Sequence, residues 1–193
     1  MEKKIAIFAS GTGSNAKKII EYFLGNDQIR VDLVISNKGT APVLAIAQSF
    51  GIDTMVIDRS SFYQSDIIVD QLKGRDIELL VLAGFLWLVP DYLVRAFPNQ
   101  IVNIHPALLP KFGGKGMYGM NVHKAVKESG ETETGITIHY VNEKYDDGKS
   151  IFQATCPVYD ADTPEQIAKR VLQLEHENFP KVIEKVLLEA GNN

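Results

Sequence analysis

The sequence predicts an α/β chain: a doubly wound, mostly parallel sheet with antiparallel edge strands and a long C-terminal helix. Three observations carry this. The runs 5–9, 31–36, 54–57, 79–84 and 101–104 are nearly continuous in Val, Ile and Leu, as strands covered on both faces must be. Amphipathic stretches separate these runs, and that rhythm argues a parallel sheet with right-handed crossovers. From residue 134 the pattern changes to strand-like runs around a turn, then to a long helical stretch.

In chain order, "IAIFA" (5–9) is the first strand, and Ile19, Ile20 and Phe23 share the face of a following helix. "VDLVIS" (31–36) is the second strand. Pro42 opens a second helix and Gly51 suits its end. After "TMVI" (54–57), the residues Ile67, Ile68 and Leu72 form a third apolar stripe. "LLVLAG" (79–84) is followed by a fourth helix with Pro90 in its first turn, and then by "IVNI" (101–104). Residues 105–120 carry Pro106, Pro110 and four glycines, 113, 114, 116 and 119. A loop of that length is commonly functional, and Lys111–Gly119 is expected to order over a bound substrate. A short helix from Val122 to Ser129 stops at Gly130. "TGITIHYV" (134–141) and "SIFQATCPV" (150–158) flank turn residues and read as a hairpin-like pair at the sheet edge. Thr163, Pro164 and Gln166 supply an N-cap, a first-turn proline and a capping-box partner. Pro180 should kink or split the helix that follows. No repeat or linker interrupts the chain, so 1–193 reads as a single domain.

The 193 residues suffice for one core, and a net charge of −4 argues against a broad basic surface for nucleic acid. The single cysteine, Cys156, excludes an internal disulfide and fits a reducing cytosol. It reads as a small apolar strand residue. The N-terminal apolar run is too short for a signal peptide, and none is long enough to cross a membrane. No Cys/His spacing suggests a metal. The chain is therefore expected to be cytoplasmic, metal-free and directed at small molecules, as a monomer or weak homodimer.

Two features at strand ends point to chemistry. After the first strand, Gly11, Gly13 and Ala16 fit G-x-G-x-x-A before a helix. Glycines let backbone N–H groups and a helix N-terminus approach an anion. Ser14 and Asn15 add donors suited to a phosphate monoester. A dinucleotide site would want an acidic residue about 20 residues on, at the second strand's end. Ser36, Asn37 and Lys38 stand there instead.

The second feature is "NIHP". Asn103 and His105 are two apart, so they point the same way if the strand continues through His105. Ligands of open parallel sheets bind beyond the strands' carboxyl ends, so both features face one rim. An amide and an imidazole, with a carboxylate from Asp146-Asp147-Gly148, suit acyl transfer to an amine. The amine is its own nucleophile, and the protein must stabilise an oxyanion and move protons. A His held cationic by an Asp can do both.

"NIHPALLPKFGGKG", "GITIHYVNEKYDDGKSI" and "SGTGSN" together resemble the phosphoribosylglycinamide formyltransferases, folate-dependent enzymes of purine synthesis. The resemblance runs nearly end to end. It implies a Rossmann-like formyltransferase fold and 10-formyltetrahydrofolate as co-substrate. It implies a catalytic trio of Asn103, His105 and Asp146, with Asp147 the alternative carboxylate. Gly13, Ser14 and Asn15 would hold the ribonucleotide phosphate, and Glu175 would bind the ribonucleotide. Leu86, Trp87, Leu88 and Val89 would line the folate pocket through backbone contacts. Asn142, Glu143, Lys144, Tyr145 and Asp146 would close it, with Asn103 at its floor. Trp87 stands where many relatives carry Arg, and Asp147 where many carry Gly.

Other readings stay open at this stage: a different formyl acceptor, a formyltetrahydrofolate hydrolase, or a nucleotide-binding module without catalysis. The formyltransferases of transfer RNA and the hydrolases carry further domains for which 193 residues leave no room. His139 alternates so that it faces either site or core. His123 reads as a surface or capping residue that the loop before it could bring near substrate, and His176 as structural.

Overall fold

In the computed structural model, which describes residues 2–189, the apolar runs form the strands β1 (Lys3–Phe8), β2 (Ile29–Ser36), β3 (Asp53–Val56), β4 (Ile77–Leu82) and β5 (Ile101–His105). Two more, β6 (Glu133–Tyr140) and β7 (Ser150–Pro157), complete a seven-stranded sheet in the order β3-β2-β1-β4-β5-β6-β7. The first five strands pair in parallel; β6 and β7 run antiparallel at the edge.

The helices are α1 (Ser14–Phe23), α2 (Pro42–Ser49), α3 (Arg59–Gln64), α4 (Ile67–Gly74), α5 (Asp91–Ala96), α6 (Met120–Glu128) and α7 (Pro164–Glu189). Alternation along β1 shows why they wind doubly. Ile5 and Ile7 join the core beneath α1, α2, α6 and α7, whereas Ala6 and Phe8 join the core beneath α3, α4 and α5. Each fully buried Ile, Leu or Phe contributes about 1.5–3 kcal/mol. The sheet therefore needs both helical layers.

Several expectations are corrected. The α4 stripe is Ile68 and Leu72; Ile67 is 58% exposed because it opens the helix. Pro90 is the N-cap of α5 rather than a first-turn residue. Helix α3 was not anticipated, although Asp58 marks its start by accepting the Ser61 N–H at 2.9 Å. Helix α7 runs unbroken through Pro180, where Phe179, Pro180, Val182 and Ile183 are all buried. Tertiary packing there outweighs the lost backbone hydrogen bond. The expected capping box is present. The Gln166 side chain accepts the Thr163 N–H at 2.8 Å, and Thr163 Oγ1 accepts the Gln166 N–H at 3.3 Å.

Before α7, Arg170 grips Asp162 with two bonds of 2.9 and 3.0 Å. That guanidinium, with the Tyr159 N–H, holds the Asp162 carboxyl at about 2. The sheet order reverses beside β1, so the loops after β1 and β4 frame a crevice at that switch point. They are tied together: Ser10 donates its N–H to the Gly84 carbonyl at 3.1 Å, and Ser10 Oγ accepts the Leu86 N–H at 3.0 Å.

Candidate active site

Strand β5 delivers Asn103 and His105 to the rim, and β6 pairs with it so that Asn103 faces His139 and His105 faces Thr137. Asp146 comes from the β6–β7 connection with a left-handed backbone, φ 52°. Its carboxylate reaches both β5 residues. Oδ2 lies 3.5 Å from His105 Nδ1, and Oδ1 lies 3.5 Å from Asn103 Nδ2. His139 Nε2 is 3.7 Å from Oδ1 and 3.1 Å from Asn103 Nδ2. The alternative carboxylate is elsewhere: Asp147 accepts from Asn142 Nδ2 at 3.1 Å and its side chain is largely exposed.

The loop from Pro106 to Gly119 is latched onto this cluster. Thr137 Oγ1 donates to the Ala107 carbonyl at 2.7 Å and accepts the Leu109 N–H at 3.0 Å. Further along, His105 Nε2–H donates to the Phe112 carbonyl at 2.7 Å, and the Gly114 N–H donates to Asp146 Oδ2 at 2.9 Å. Burial pulls the His105 imidazole below its ordinary value; Asp146 and the Phe112 carbonyl push it up without overcoming burial. Burial thus opposes the cationic form that Asp146 favours in the ligand-free protein. Burial pushes the Asp146 carboxyl up, but the His139 and His105 rings and the Gly114 N–H together bring it below its ordinary value.

The glycine loop has two constraints. Gly13 is the left-handed N-cap of α1, and a Cβ there would lie 2.6 Å from Val43 Cβ on α2. Ser14 and Asn15 follow in the first turn. Asn15 Nδ2 donates to Glu175 Oε2 at 2.6 Å, while Asn15 Oδ1 is buried without a partner. Glu175 is only 8% exposed, and burial raises its carboxyl more than Asn15 lowers it. One buried acceptor without a partner, beside a buried carboxylate, calls for a donor on a ligand, such as a hydroxyl group.

A stability prediction follows. Folded Glu175 holds its proton more readily than the unfolded chain, so its ionisation costs stability as pH rises from the ordinary carboxylate range through the raised value. Glu175→Gln is expected to raise Tm at pH 8, and the gain is expected to vanish near pH 4. Thermal melts of both proteins at the two pH values check this.

Beside the crevice lies an aromatic wall. Trp87 packs against Phe62, Tyr63 and Phe85 with ring centroids 5.7, 6.0 and 6.1 Å away. The Arg59 guanidinium lies 5.9 Å from the Trp87 ring centre. Tyr63 donates its hydroxyl to the Leu88 carbonyl at 2.9 Å. Leu86 and, across the crevice, Tyr145 are both more than 40% exposed, whereas Val89 is buried in the core.

The profile of the family described as "Formyl transferase" matches residues 3–183. The chain belongs to the formyl transferase family. Relatives agree. A Bacillus subtilis phosphoribosylglycinamide formyltransferase is 36% identical over 96% of this chain and 95% of its own length. The chloroplastic phosphoribosylglycinamide formyltransferase of Arabidopsis thaliana is 46% identical over 94% of this chain, which spans 64% of that protein. The crystal structure of glycinamide ribonucleotide transformylase 1 from Geobacillus kaustophilus superposes with a TM-score of 0.88 at 34% identity, covering 97% of this chain and 100% of that one.

In this formyl transferase the predicted trio thus converges on one carboxylate, and the glycine loop and Glu175 meet each other at the same rim. Of the folate-pocket candidates, Leu86, Glu143, Lys144 and Tyr145 are exposed. Leu86 N–H and the Leu88 carbonyl already have protein partners. Trp87 fills an aromatic stack. Asn142 Oδ1 accepts the Lys144 N–H at 3.0 Å, which shapes the turn carrying Glu143 and Tyr145.

His139, left open from the sequence, faces the site at 2% exposure. His123 is corrected: it is 5% exposed, not a surface residue, because it shares the inner face of α6 with Val122 and Val126. Burial and nearby His105 lower its proton affinity. His176 is half-buried, and burial lowers its proton affinity too. Cys156 is buried in β7, as expected. Sequence reasoning missed the backbone partners Phe112 and Gly114. No side-chain signal marks them, although the Gly113-Gly114 pair marks a close approach. Among the described residues no group of His, Cys, Asp or Glu is arranged to hold a metal, and no helix is long and apolar enough to cross a membrane.

Proposed function

We propose that this chain transfers the formyl group of 10-formyltetrahydrofolate to the glycyl amine of 5′-phosphoribosylglycinamide, giving formylglycinamide ribonucleotide and tetrahydrofolate. The observation that carries this reading is that Asn103 and His105 each lie 3.5 Å from an oxygen of the Asp146 carboxylate, on the rim that also holds the glycine loop. One sheet carries all of these groups, which supports reading 1–193 as one formyltransferase domain.

Gly13, Ser14 and Asn15 hold the ribonucleotide phosphate at the N-terminus of α1, and Glu175 with Asn15 Oδ1 receives its hydroxyls. Leu86 to Val89 and Asn142 to Tyr145 take the folate between them; the exposed Leu86 and Tyr145 side chains fit a flat ring system. Asn103 and His105 Nε2–H are the donors for the formyl oxygen as it becomes an oxyanion, each worth about 3 kcal/mol at such a position. His105 offers that hydrogen once the Phe112 carbonyl gives it up, so the Lys111–Gly119 loop rearranges around bound substrate. Before the reaction the His105 ring takes a proton from solvent at Nδ1 and keeps it throughout, stabilised by Asp146 as charge builds on the oxygen. The amine nitrogen bonds to the formyl carbon, the bond from that carbon to folate N10 breaks, and the proton leaving the amine arrives at N10. Rigid placement on β5 supplies the alignment that makes two substrates react as one.

The test is direct. Protein mixed with both substrates should yield formylated ribonucleotide and tetrahydrofolate in equal amounts. Tetrahydrofolate without formylated ribonucleotide would make the protein a hydrolase; neither product would overturn the reading.

A further inference from the structure

We propose that His139 is a positioning residue: it fixes the orientation of the Asn103 amide and thereby makes Asn103 a hydrogen-bond donor to the formyl oxygen. The inference rests on the formyl-transfer reading and goes beyond the trio.

The argument begins with the backbone. His139 stands opposite Asn103 in the β5–β6 ladder and is 2% exposed, so protein groups must satisfy its ring. Nδ1 lies 2.9 Å from the Tyr140 carbonyl oxygen. A carbonyl oxygen only accepts, so Nδ1 carries the hydrogen. In the neutral ring Nε2 is then a bare acceptor. Asp146 Oδ1, at 3.7 Å, is beyond hydrogen-bond reach of Nε2; the neighbour at 3.1 Å is the Asn103 side chain, and the nitrogen end of that amide is the only end that can donate to it. A flipped amide would set Asn103 Oδ1 against the Nε2 lone pair, leaving two buried acceptors facing each other.

The chain of bonds therefore runs one way: Asn103 Nδ2–H to His139 Nε2, and His139 Nδ1–H to Tyr140. The second Nδ2 hydrogen points at Asp146 Oδ1, 3.5 Å away. That contact is long and weak. A formyl oxygen gaining negative charge competes for this hydrogen on favourable terms. Without His139 as acceptor the amide has no fixed sense, and half of its orientations present oxygen to the oxyanion.

Two substitutions separate this role from a structural one. His139→Gln can place an amide oxygen where Nε2 was, keeping an acceptor for Asn103. His139→Asn can place an amide N–H where Nδ1 was, keeping the bond to Tyr140 while abandoning Asn103. We expect His139→Asn to lower kcat by about tenfold to hundredfold, up to the loss of one oxyanion donor. KM for both substrates should stay within about twofold. His139→Gln should retain kcat within about threefold. In an Asn103→Ala background His139→Asn should cost nothing further. Nitrogen-15 spectra of the wild-type protein should show His139 protonated at Nδ1 and bare at Nε2.

An Asn variant as active as the Gln variant, or a penalty that persists in Asn103→Ala, would assign His139 to structure alone. A hydrogen found on Nε2 in the neutral ring would overturn the inference whatever the kinetics. Wild-type protein that forms no formylated ribonucleotide would instead defeat the formyl-transfer reading, and the spectra would still report the tautomer.

Discussion

Replacing His105 by alanine is expected to lower kcat for formyl transfer by about 1000-fold, within the range a positioned acid–base group supplies. His105 is 3% exposed, its Nε2–H meets a carbonyl oxygen at 2.7 Å, and Nδ1 faces Asp146 at 3.5 Å. A buried ring with an acceptor at each nitrogen is built to be held as a cation when charge develops beside it. Steady-state kinetics of His105→Ala, with Tm measured alongside, check this. A loss of less than tenfold in a folded variant would remove His105 from the mechanism.

The same ring makes a pH prediction. Folded His105 binds its proton less readily than an unfolded His of ordinary value 6.5, because burial outweighs Asp146. The unfolded chain therefore binds more protons just below 6.5, and stability rises with pH across that window. His105→Ala should flatten the slope. Asp146→Asn removes the group that favours the cation, so His105 should titrate at a lower pH still, and kcat should fall. Titration of the ring by NMR in both proteins reads this out.

The sequence carried the fold because both-face burial leaves a plain mark: β1 to β5 are Val, Ile and Leu runs, and their boundaries moved by two residues or fewer. It marked Asn103 and His105 because they interrupt such a run; the choice of Asp146 over Asp147 came from the family resemblance. What it could not carry depends on three-dimensional neighbours. His139 alternates identically whether it faces site or core, and only the register opposite Asn103 decides. His123 follows a glycine-rich stretch that looks solvent-facing, yet α6 turns it inward. A pairwise view of His105 credits Asp146 and cannot weigh the burial that opposes it. Pro180 does not split α7, because helix propensity is local whereas the packing around Phe179 and Ile183 is not.

Gly148 shows how one backbone atom's absence supports the chemistry. In sequence it closes a turn after Asp146 and Asp147. In the structure an added Cβ would coincide with the Tyr140 carbonyl oxygen and lie 2.7 Å from the carbonyl carbon. Neither partner can give way. The Tyr140 N–H is bonded to the Lys149 carbonyl at 2.9 Å, and the Tyr140 carbonyl takes His139 Nδ1–H. In Gly148→Ala the segment from Asn142 to Asp147 must move instead, drawing Asp146 away from His105 and Asn103. A misplacement near 1 Å can cost about 100-fold in rate, and overpacking costs about 1–3 kcal/mol of stability. Gly148→Ala is therefore expected to lose about 100-fold in kcat and several degrees in Tm. Ribonucleotide binding should persist, since Gly13, Ser14, Asn15 and Glu175 sit on α1 and α7. Asp147→Ala is the control: it touches only Asn142 and Lys144 and should leave kcat within about twofold. A Gly148→Ala protein with wild-type kcat would mean that Asp146 is anchored by its own bonds to Gly114 and the two rings, rather than by the turn that carries it.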